Sequence, residues 1–161
     1  MVAKSFAPSI INPGGTSVLT ITLTNPNPGA LTGAAFTDTY PANMVNTATP
    51  NGVTTCVGGT VTAVSNGPSV ALSGGMVPAS GSCTVTVNVT SNVAGVYVNH
   101  TGPVTTANAG AAAESTGTLT VNGVAPTPTV PVPTLSGWML ILISGLLALL
   151  GLAVLRRSPR Q

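Results

Sequence analysis

Alternating apolar and hydroxyl residues in two segments constrain the fold of this chain more than any other feature. Ser17–Asn25 reads SVLTITLTN, and Thr84–Ser91 reads TVTVNVTS. Because successive side chains of a β-strand point to opposite faces, this period of two predicts strands with one apolar face and one hydroxyl face. Apolar residues at helical spacing do not occur before residue 135. We therefore predict antiparallel sheets with one buried face.

Weaker strand patterns alternate with turn residues along the same part of the chain. The patterns are Ala34–Tyr40, Val53–Cys56, Thr60–Val64, Ser69–Leu72, Val96–Asn99 and Thr116–Val121. The turns include Pro13-Gly14-Gly15, Asn51-Gly52, Gly58-Gly59 and Gly74-Gly75, whose residues accept or fix unusual φ angles. Val2, Phe6 and Ile10 indicate a further strand at the start. Seven or eight short strands predict an all-β, Ig-like antiparallel β-sandwich over residues 1–123.

This predicted sandwich is almost free of charge. The chain has four Lys or Arg and two Asp or Glu residues, and Arg156, Arg157 and Arg160 lie at its C-terminus. Cytosolic domains have about 25% charged residues, so a domain kept soluble by Thr, Ser, Asn and Gly is typical of an extracellular protein. Nucleic-acid binding needs clustered Lys or Arg, and the tail contains the only cluster.

The sequence also lacks the residue sets that catalysis needs. Asp38 and Glu114 are the only carboxylates, and His100 is the only histidine. A glycosidase pair or a Ser-His-Asp triad therefore has little support, and calcium usually takes several carboxylates. Asp38 is predicted to cap a turn, and His100 to be exposed at a strand end. We expect no enzymatic activity and no cofactor.

Cys56 and Cys83 are the only cysteines. In an exported protein an even number indicates one disulfide, and two buried free thiols are the alternative. A bridge that closes a loop of this length would stabilise the fold by roughly 3–4 kcal/mol in the chain-entropy model.

A proline-rich spacer and an apolar segment follow the predicted sandwich. Residues 124–134 read VAPTPTVPVPT, which is typical of stiff polyproline II. Residues 135–155 have no charge and are long enough, at about 1.5 Å per residue, to cross a bilayer core of ~30 Å as a helix. The arginines of residues 156–161 then predict a cytoplasmic C-terminus and an external sandwich.

The order of motifs in the first part resembles bacterial surface repeats related to the DUF11 family. Residues 6–44 read FAPSIINPGGTSVLTITLTNPNPGALTGAAFTDTYPANM, and residues 80–91 read SGSCTVTVNVTS. The resemblance implies an Ig-like module that often occurs in tandem, and it supports pairing of Cys56 with Cys83. It implies a fold and a location rather than an activity. Met1–Pro8 does not read as a signal peptide, so either the front of the chain has been removed or the chain is the last module of a longer protein, and we expect the second.

The C-terminal part resembles the IPTL-CTERM protein-sorting signal. Residues 132–157 read VPTLSGWMLILISGLLALLGLAVLRR. The motif positions are held by Val132, Pro133, Thr134, Leu135 and Trp138. Val132 replaces the usual Ile, and Met139 replaces the usual Gly. The resemblance implies processing by a membrane-embedded enzyme of exosortase type, and a permanent anchor is the alternative.

These features predict a non-enzymatic structural or adhesive module of the cell surface, with a C-terminal sorting and membrane-anchoring signal. The alternative is a self-assembling filament or layer subunit, because uncharged strand edges can pair between copies. The expected partners are the membrane, the sorting enzyme, and copies of the chain or neighbouring repeats. A carbohydrate-binding module has less support, because Tyr40, Tyr97 and Trp138 are the only Tyr and Trp residues.

Overall fold

The computed structural model describes residues 1–123, which belong to the first of the two units into which the chain divides, Met1–Ala125. These residues form eleven strands and no helix, so none of them lies in a helix that could cross a membrane. The strands are β1 (Val2–Ala7), β2 (Ile10–Ile11), β3 (Thr16–Asn25), β4 (Leu31–Thr39), β5 (Val45–Asn46), β6 (Val53–Thr54), β7 (Thr60–Thr62), β8 (Ser69–Val77), β9 (Gly81–Thr90), β10 (Gly95–His100) and β11 (Thr116–Val121). The predicted spacer, membrane segment and basic tail lie outside the described residues.

The first sheet is antiparallel and has the order β1-β3-β9-β5, with β6 also paired to β9. Its centre is the pair β3–β9, which runs in register from Thr16 opposite Thr90 to Asn25 opposite Gly81. Leu19, Ile21 and Leu23 are buried, while the threonines between them are partly exposed. The alternation in the two strongest segments therefore predicted both strands and their buried face correctly.

The opposite layer consists of two three-stranded sheets, β4-β8-β7 and β10-β11-β2. Ala35 of β4 exchanges two backbone hydrogen bonds with Thr105, in the segment that follows β10, and this joins the two sheets. The chain passes from the first sheet to the second layer between β1 and β2. Strand β2 then runs parallel to β11, with Ile10 opposite Thr120 and Ile11 opposite Val121.

Inward-facing residues from both layers form one hydrophobic core. Leu19 and Ile21 of the first sheet and Val70, Leu72 and Leu119 of the second layer are at most 2% exposed. Full burial of such side chains contributes about 1.5–3 kcal/mol each. Two layers on one core, with the order β1-β3-β9-β5 in the first sheet, are the arrangement of an Ig-like sandwich. The predicted all-β fold class is confirmed for residues 1–123.

The predicted turn at Gly74-Gly75 is wrong, because β8 continues through both glycines as far as Val77. The register between β8 and β4 shifts here, and Gly74 has a φ of 69°, which marks a bulge inside a strand. A Cβ atom on Gly75 would lie 3.0 Å from the Cβ of Cys56. The absence of side chains at the glycine pair thus allows the bulged strand β8 to pack closely against Cys56.

Candidate functional site

Three polar side chains meet inside the sandwich and form what we call the buried polar cluster: Lys4, Asp38 and Asn99. Lys4 lies on β1 in the first sheet, whereas Asp38 on β4 and Asn99 on β10 belong to the opposite layer. Each occupies an inward position of its strand, between or beside buried apolar residues. The cluster therefore bridges the two layers and contains two of the three Asp, Glu, Lys or Arg residues in residues 1–123.

The carboxylate of Asp38 holds the cluster together. Lys4 Nζ donates a hydrogen bond to one carboxylate oxygen, Oδ1, at 2.8 Å. Asn99 Nδ2 donates to the other oxygen, Oδ2, at 2.9 Å. The side chains of Lys4 and Asp38 are 0% exposed. The prediction that Asp38 caps a turn is therefore wrong, because Asp38 has the same strand parity as buried Ala34 and Phe36 and points into the core.

A glycine on a neighbouring strand makes room for the lysine. Gly117 of β11 pairs with Asn99 of β10. A Cβ atom on Gly117 would lie 2.9 Å from Lys4 Cγ and 3.1 Å from Lys4 Cδ. The aliphatic part of Lys4 thus passes directly over Gly117, and this path brings its amino group to Asp38 beside Asn99.

Burial shifts both ionisable groups of the cluster toward their neutral forms. Loss of hydration lowers the pKa of Lys4 and raises the pKa of Asp38, since a desolvated charge is costly. Their mutual hydrogen bond and attraction oppose both shifts. Transfer of one proton from Lys4 to Asp38 would convert the ion pair into an amine and a carboxylic acid without changing the net charge of the cluster.

Two buried polar atoms have no hydrogen-bond partner among the described residues: Oδ1 of Asn99, in the buried polar cluster, and Oγ1 of Thr101, two residues further along. Both residues are 0% exposed. An unsatisfied buried polar atom costs about 1–3 kcal/mol. The sandwich therefore bears this cost at Oδ1 of Asn99, which is shielded from water and accepts no hydrogen bond.

The structure contains the disulfide that the cysteine content predicts. Cys56 and Cys83 are bonded, with 4.9 Å between their Cα atoms and a sequence separation of 27. Cys83 lies in β9, and Cys56 follows β6, which pairs with β9. The alternative of two buried free thiols does not hold in the structure, since neither cysteine is free.

Other residues weighed for catalysis or binding lie apart. Asp38 is buried, whereas Glu114 and His100 are exposed, so the two carboxylates do not face one another. No group of three His, Cys, Asp or Glu residues suited to a metal ion occurs within residues 1–123. Tyr40 and Tyr97 are buried, and their hydroxyls bond to Asn46 Oδ1 and to the Val93 carbonyl. Neither tyrosine offers an exposed ring for a sugar to stack on.

The predicted sorting and topology residues lie outside the described residues. They are Val132, Pro133, Thr134, Leu135, Trp138, Arg156, Arg157 and Arg160. Their roles remain predictions from the sequence.

Fold and sequence together define an Ig-like β-sandwich module followed by a C-terminal sorting motif. The chain belongs to the DUF7933 family, described as a domain of unknown function, whose model matches residues 1–121. An IPTL-CTERM motif matches residues 130–157, as the sequence predicted. The specific relationship to DUF11 stays a prediction. No curated protein matches the chain in sequence.

Several solved structures share the fold at low sequence identity. A cohesin module of a family 33 glycoside hydrolase from Clostridium perfringens has 14% identity and a TM-score of 0.53, and the match covers 71% of this chain and 90% of the module. The third cohesin of ScaC from Acetivibrio cellulolyticus has 12% identity and a TM-score of 0.53, with 76% and 100% covered. The major pilin subunit BcpA of Bacillus cereus also has 12% identity and a TM-score of 0.53, but the match covers 78% of this chain and only 40% of the pilin.

Proposed function

We propose that this chain is a non-enzymatic structural or adhesive module that its C-terminal signal directs to the cell surface. The observation that carries the proposal is the IPTL-CTERM match at residues 130–157, directly after a DUF7933 sandwich at residues 1–121. An apolar segment with flanking arginines is sufficient to anchor a domain. The motif before that segment adds sequence information that an anchor alone does not need.

The proposed partner of this signal is a processing enzyme of exosortase type in the membrane. Pro133 is incompatible with a helix interior and biases Val132 toward extended angles. An extended segment at the membrane surface is a form that a processing enzyme can bind. We place the cleavage near Pro133–Thr134, with the sandwich outside the membrane and the C-terminus cytoplasmic before processing.

The test compares two paired substitutions in a host that carries the sorting enzyme. Pro133→Ala with Thr134→Ala should block processing, so that an uncut form accumulates in the membrane. The control, Pro128→Ala with Thr129→Ala, changes the same residue types just upstream of the matched motif and should be cut normally. Mass spectrometry of surface protein should find no peptide from residues 138–155 in the wild type or the control. Recovery of mature wild-type protein with Gln161 still attached would show a permanent anchor instead.

The proposed orientation has a separate test. Arg156, Arg157 and Arg160 provide the only Lys or Arg residues near the apolar segment. Replacing all three with Glu should give a mixed topology, because retention of the tail on the cytoplasmic side depends on positive charge. A reporter fused after Gln161 measures this, and an unchanged cytoplasmic reporter would contradict the assignment.

A surface scaffold or adhesin is favoured over a self-assembling subunit by the sheet edges. Natural proteins shorten edge strands to prevent pairing between copies. The edge strands β5 and β6 have two residues each and β7 has three, whereas β1, at the other edge of the first sheet, has six. Sedimentation of residues 1–123 distinguishes the two roles. A monomer supports the scaffold, and concentration-dependent polymers support self-assembly.

A further inference from the structure

The buried polar cluster places an amine and an amide on one carboxyl group. Lys4 Nζ lies 2.8 Å from Asp38 Oδ1, and Asn99 Nδ2 lies 2.9 Å from Asp38 Oδ2. Because both nitrogens contact oxygens of the same carboxylate, Asp38 brings the lysine nitrogen and the Asn99 carboxamide into one small region of the core. An amine held beside a carbonyl carbon by fixed neighbours is arranged for intramolecular attack.

The surroundings of the cluster exclude water. Asp38 and Asn99 are 0% exposed, and Phe6, two residues beyond Lys4 on the same face of β1, is 7% exposed. The Phe6 ring reaches Gly117, where a Cβ atom would lie 3.2 Å from Phe6 Cε2. A site closed to water protects a reactive intermediate from hydrolysis.

We propose that Lys4 Nζ and Asn99 Cγ form an intramolecular amide bond, and that Asp38 transfers the protons that this reaction requires. Asn99 is the electrophile because Asp38 already contacts both reacting nitrogens and is suited to move protons between them. If Asp38 were the electrophile, the protein would lack a second carboxyl at the site, since Glu114 is exposed. The bond would link β1 of the first sheet to β10 of the opposite layer.

Each proton and bond in the reaction is accounted for. Lys4 first gives a proton to Asp38, in the direction that burial shifts the pKa of each group. The neutral amine attacks Asn99 Cγ, and Asn99 Oδ1 accepts the proton that Asp38 carries. Asp38 then takes a proton from the attacking nitrogen and passes it to Nδ2, which leaves as ammonia. As the carbonyl re-forms, the proton on Oδ1 returns to Asp38, which ends as a neutral carboxylic acid. One C–N bond forms, one C–N bond breaks, and no oxidant or reductant is needed.

The reaction also removes a feature that is unfavourable in an apolar interior. Burial of an ion pair carries a large desolvation penalty, and the product has a neutral amide in place of the Lys4 ammonium. Departure of ammonia makes the step effectively irreversible. The inference depends only on residues 1–123 and is independent of the proposed sorting of the chain.

The test is a mass measurement on the full 161-residue chain, produced under oxidising conditions and purified in detergent. The denatured wild type should be lighter by one ammonia than the disulfide-bonded sequence mass. Digestion with pepsin should yield one branched peptide that joins Lys4 to Asn99. Peptide mapping is essential because Asn51-Gly52, Asn66-Gly67 and Asn122-Gly123 could lose ammonia by forming succinimides. Ammonia loss mapped to one of these pairs and not to Asn99 would overturn the proposal.

Three variants and one control assign the roles. Lys4→Met, Asn99→Ala and Asp38→Ala should each have the full sequence mass and no branched peptide, whereas the control Glu114→Gln should retain the bond. Loss of water instead of ammonia in the wild type would identify a Lys4–Asp38 bond and refute the assignment of Asn99. Folded wild-type protein that keeps the full sequence mass after prolonged incubation would refute the bond, whether or not the variants fold.

Discussion

The disulfide and the buried polar cluster both connect parts of the chain that are distant in sequence, but only the disulfide could be predicted from the sequence. The disulfide joins Cys56 to Cys83 within the region of the first sheet, across 27 residues. The buried polar cluster joins β1, β4 and β10 across both layers, with separations of 34 residues for Lys4–Asp38 and 61 for Asp38–Asn99. Cysteines in an exported domain have few roles, so they are easy to interpret, whereas Lys, Asp and Asn occur mostly on surfaces.

The difference shows that strand parity is as informative as residue type. Lys4 shares parity with Val2 and Phe6, and Asn99 shares parity with Tyr97. A charged residue at an inward position of an alternating strand must find a partner or leave the core. The ion pair between the two layers was therefore present in the sequence as two charges at apolar positions.

Removing the carboxylate should have the largest effect on stability. Asp38→Ala prevents the proposed Lys4–Asn99 bond and leaves the Lys4 ammonium buried without a partner, so it should lower the free energy of unfolding by at least about 3–5 kcal/mol. Guanidinium unfolding followed by far-UV circular dichroism measures this loss. The double variant Lys4→Met with Asp38→Leu should recover part of it, because no unpaired charge remains. A loss below ~1 kcal/mol in Asp38→Ala would mean that the ion pair is not buried in solution.

Removing the disulfide should have a slightly smaller effect. Cys56→Ser with Cys83→Ser should cost about 3–4 kcal/mol, because the unfolded chain regains the freedom of the closed loop. For a domain of this size, the melting temperature should fall by about 4–8 °C for each kcal/mol lost. Reduction of the wild type with a thiol reagent is the matched control and should give the same shift. Equal melting temperatures with and without reductant would contradict a stabilising bridge.

Filling the space beside Lys4 should have an intermediate effect. Gly117→Ala would place a Cβ atom 2.9 Å from Lys4 Cγ, and we expect overpacking of this kind to cost about 1–3 kcal/mol. The control is Gly110→Ala, where a Cβ atom would meet nothing within 4 Å. Thermal unfolding compares the two, and equal stabilities would show that the lysine can take another path.

Neutralising the third charged side chain of the domain should have the smallest effect. Glu114 is exposed, so Glu114→Gln should change the free energy of unfolding by no more than about 0.5 kcal/mol. Asp38→Asn makes the same chemical change at the buried position and should destabilise far more. Similar melting curves for the two variants would contradict the prediction that the buried carboxylate of Asp38 contributes more to stability than the exposed carboxylate of Glu114.

The sequence predicted the parts of the fold that have regular periodicity. Strands β3 and β9 alternate over ten residues each, and their buried faces were assigned correctly. Strand β5 has two residues, which is too short for a period to be visible. The glycine pair in β8 was interpreted as a turn because a bulge and a turn both need a residue with positive φ, and only the register with β4 separates them.

The candidate site was predicted only in part, for a related reason. The cysteine pair required no knowledge of the topology, whereas the buried polar cluster required knowing that β1, β4 and β10 meet. Asp38 stands between two threonines, and this local context indicates a polar turn. Its alternation with Ala34 and Phe36 along β4 indicates an inward-facing position instead. In the structure Asp38 does face the core, because Lys4 provides a positively charged partner there.

The parallel pairing of β2 with β11 determines how the domain would respond to a pulling force. Thr120 N bonds to Ser9 O at 2.9 Å, and Asn122 N bonds to Ile11 O at 2.8 Å. A tension applied between the two ends of the sandwich draws these parallel strands in opposite directions, so their hydrogen bonds are sheared together rather than opened one after another. Forced unfolding is governed by the unfolding rate. The pairing of β2 with β11 thus acts as a mechanical clamp of the domain.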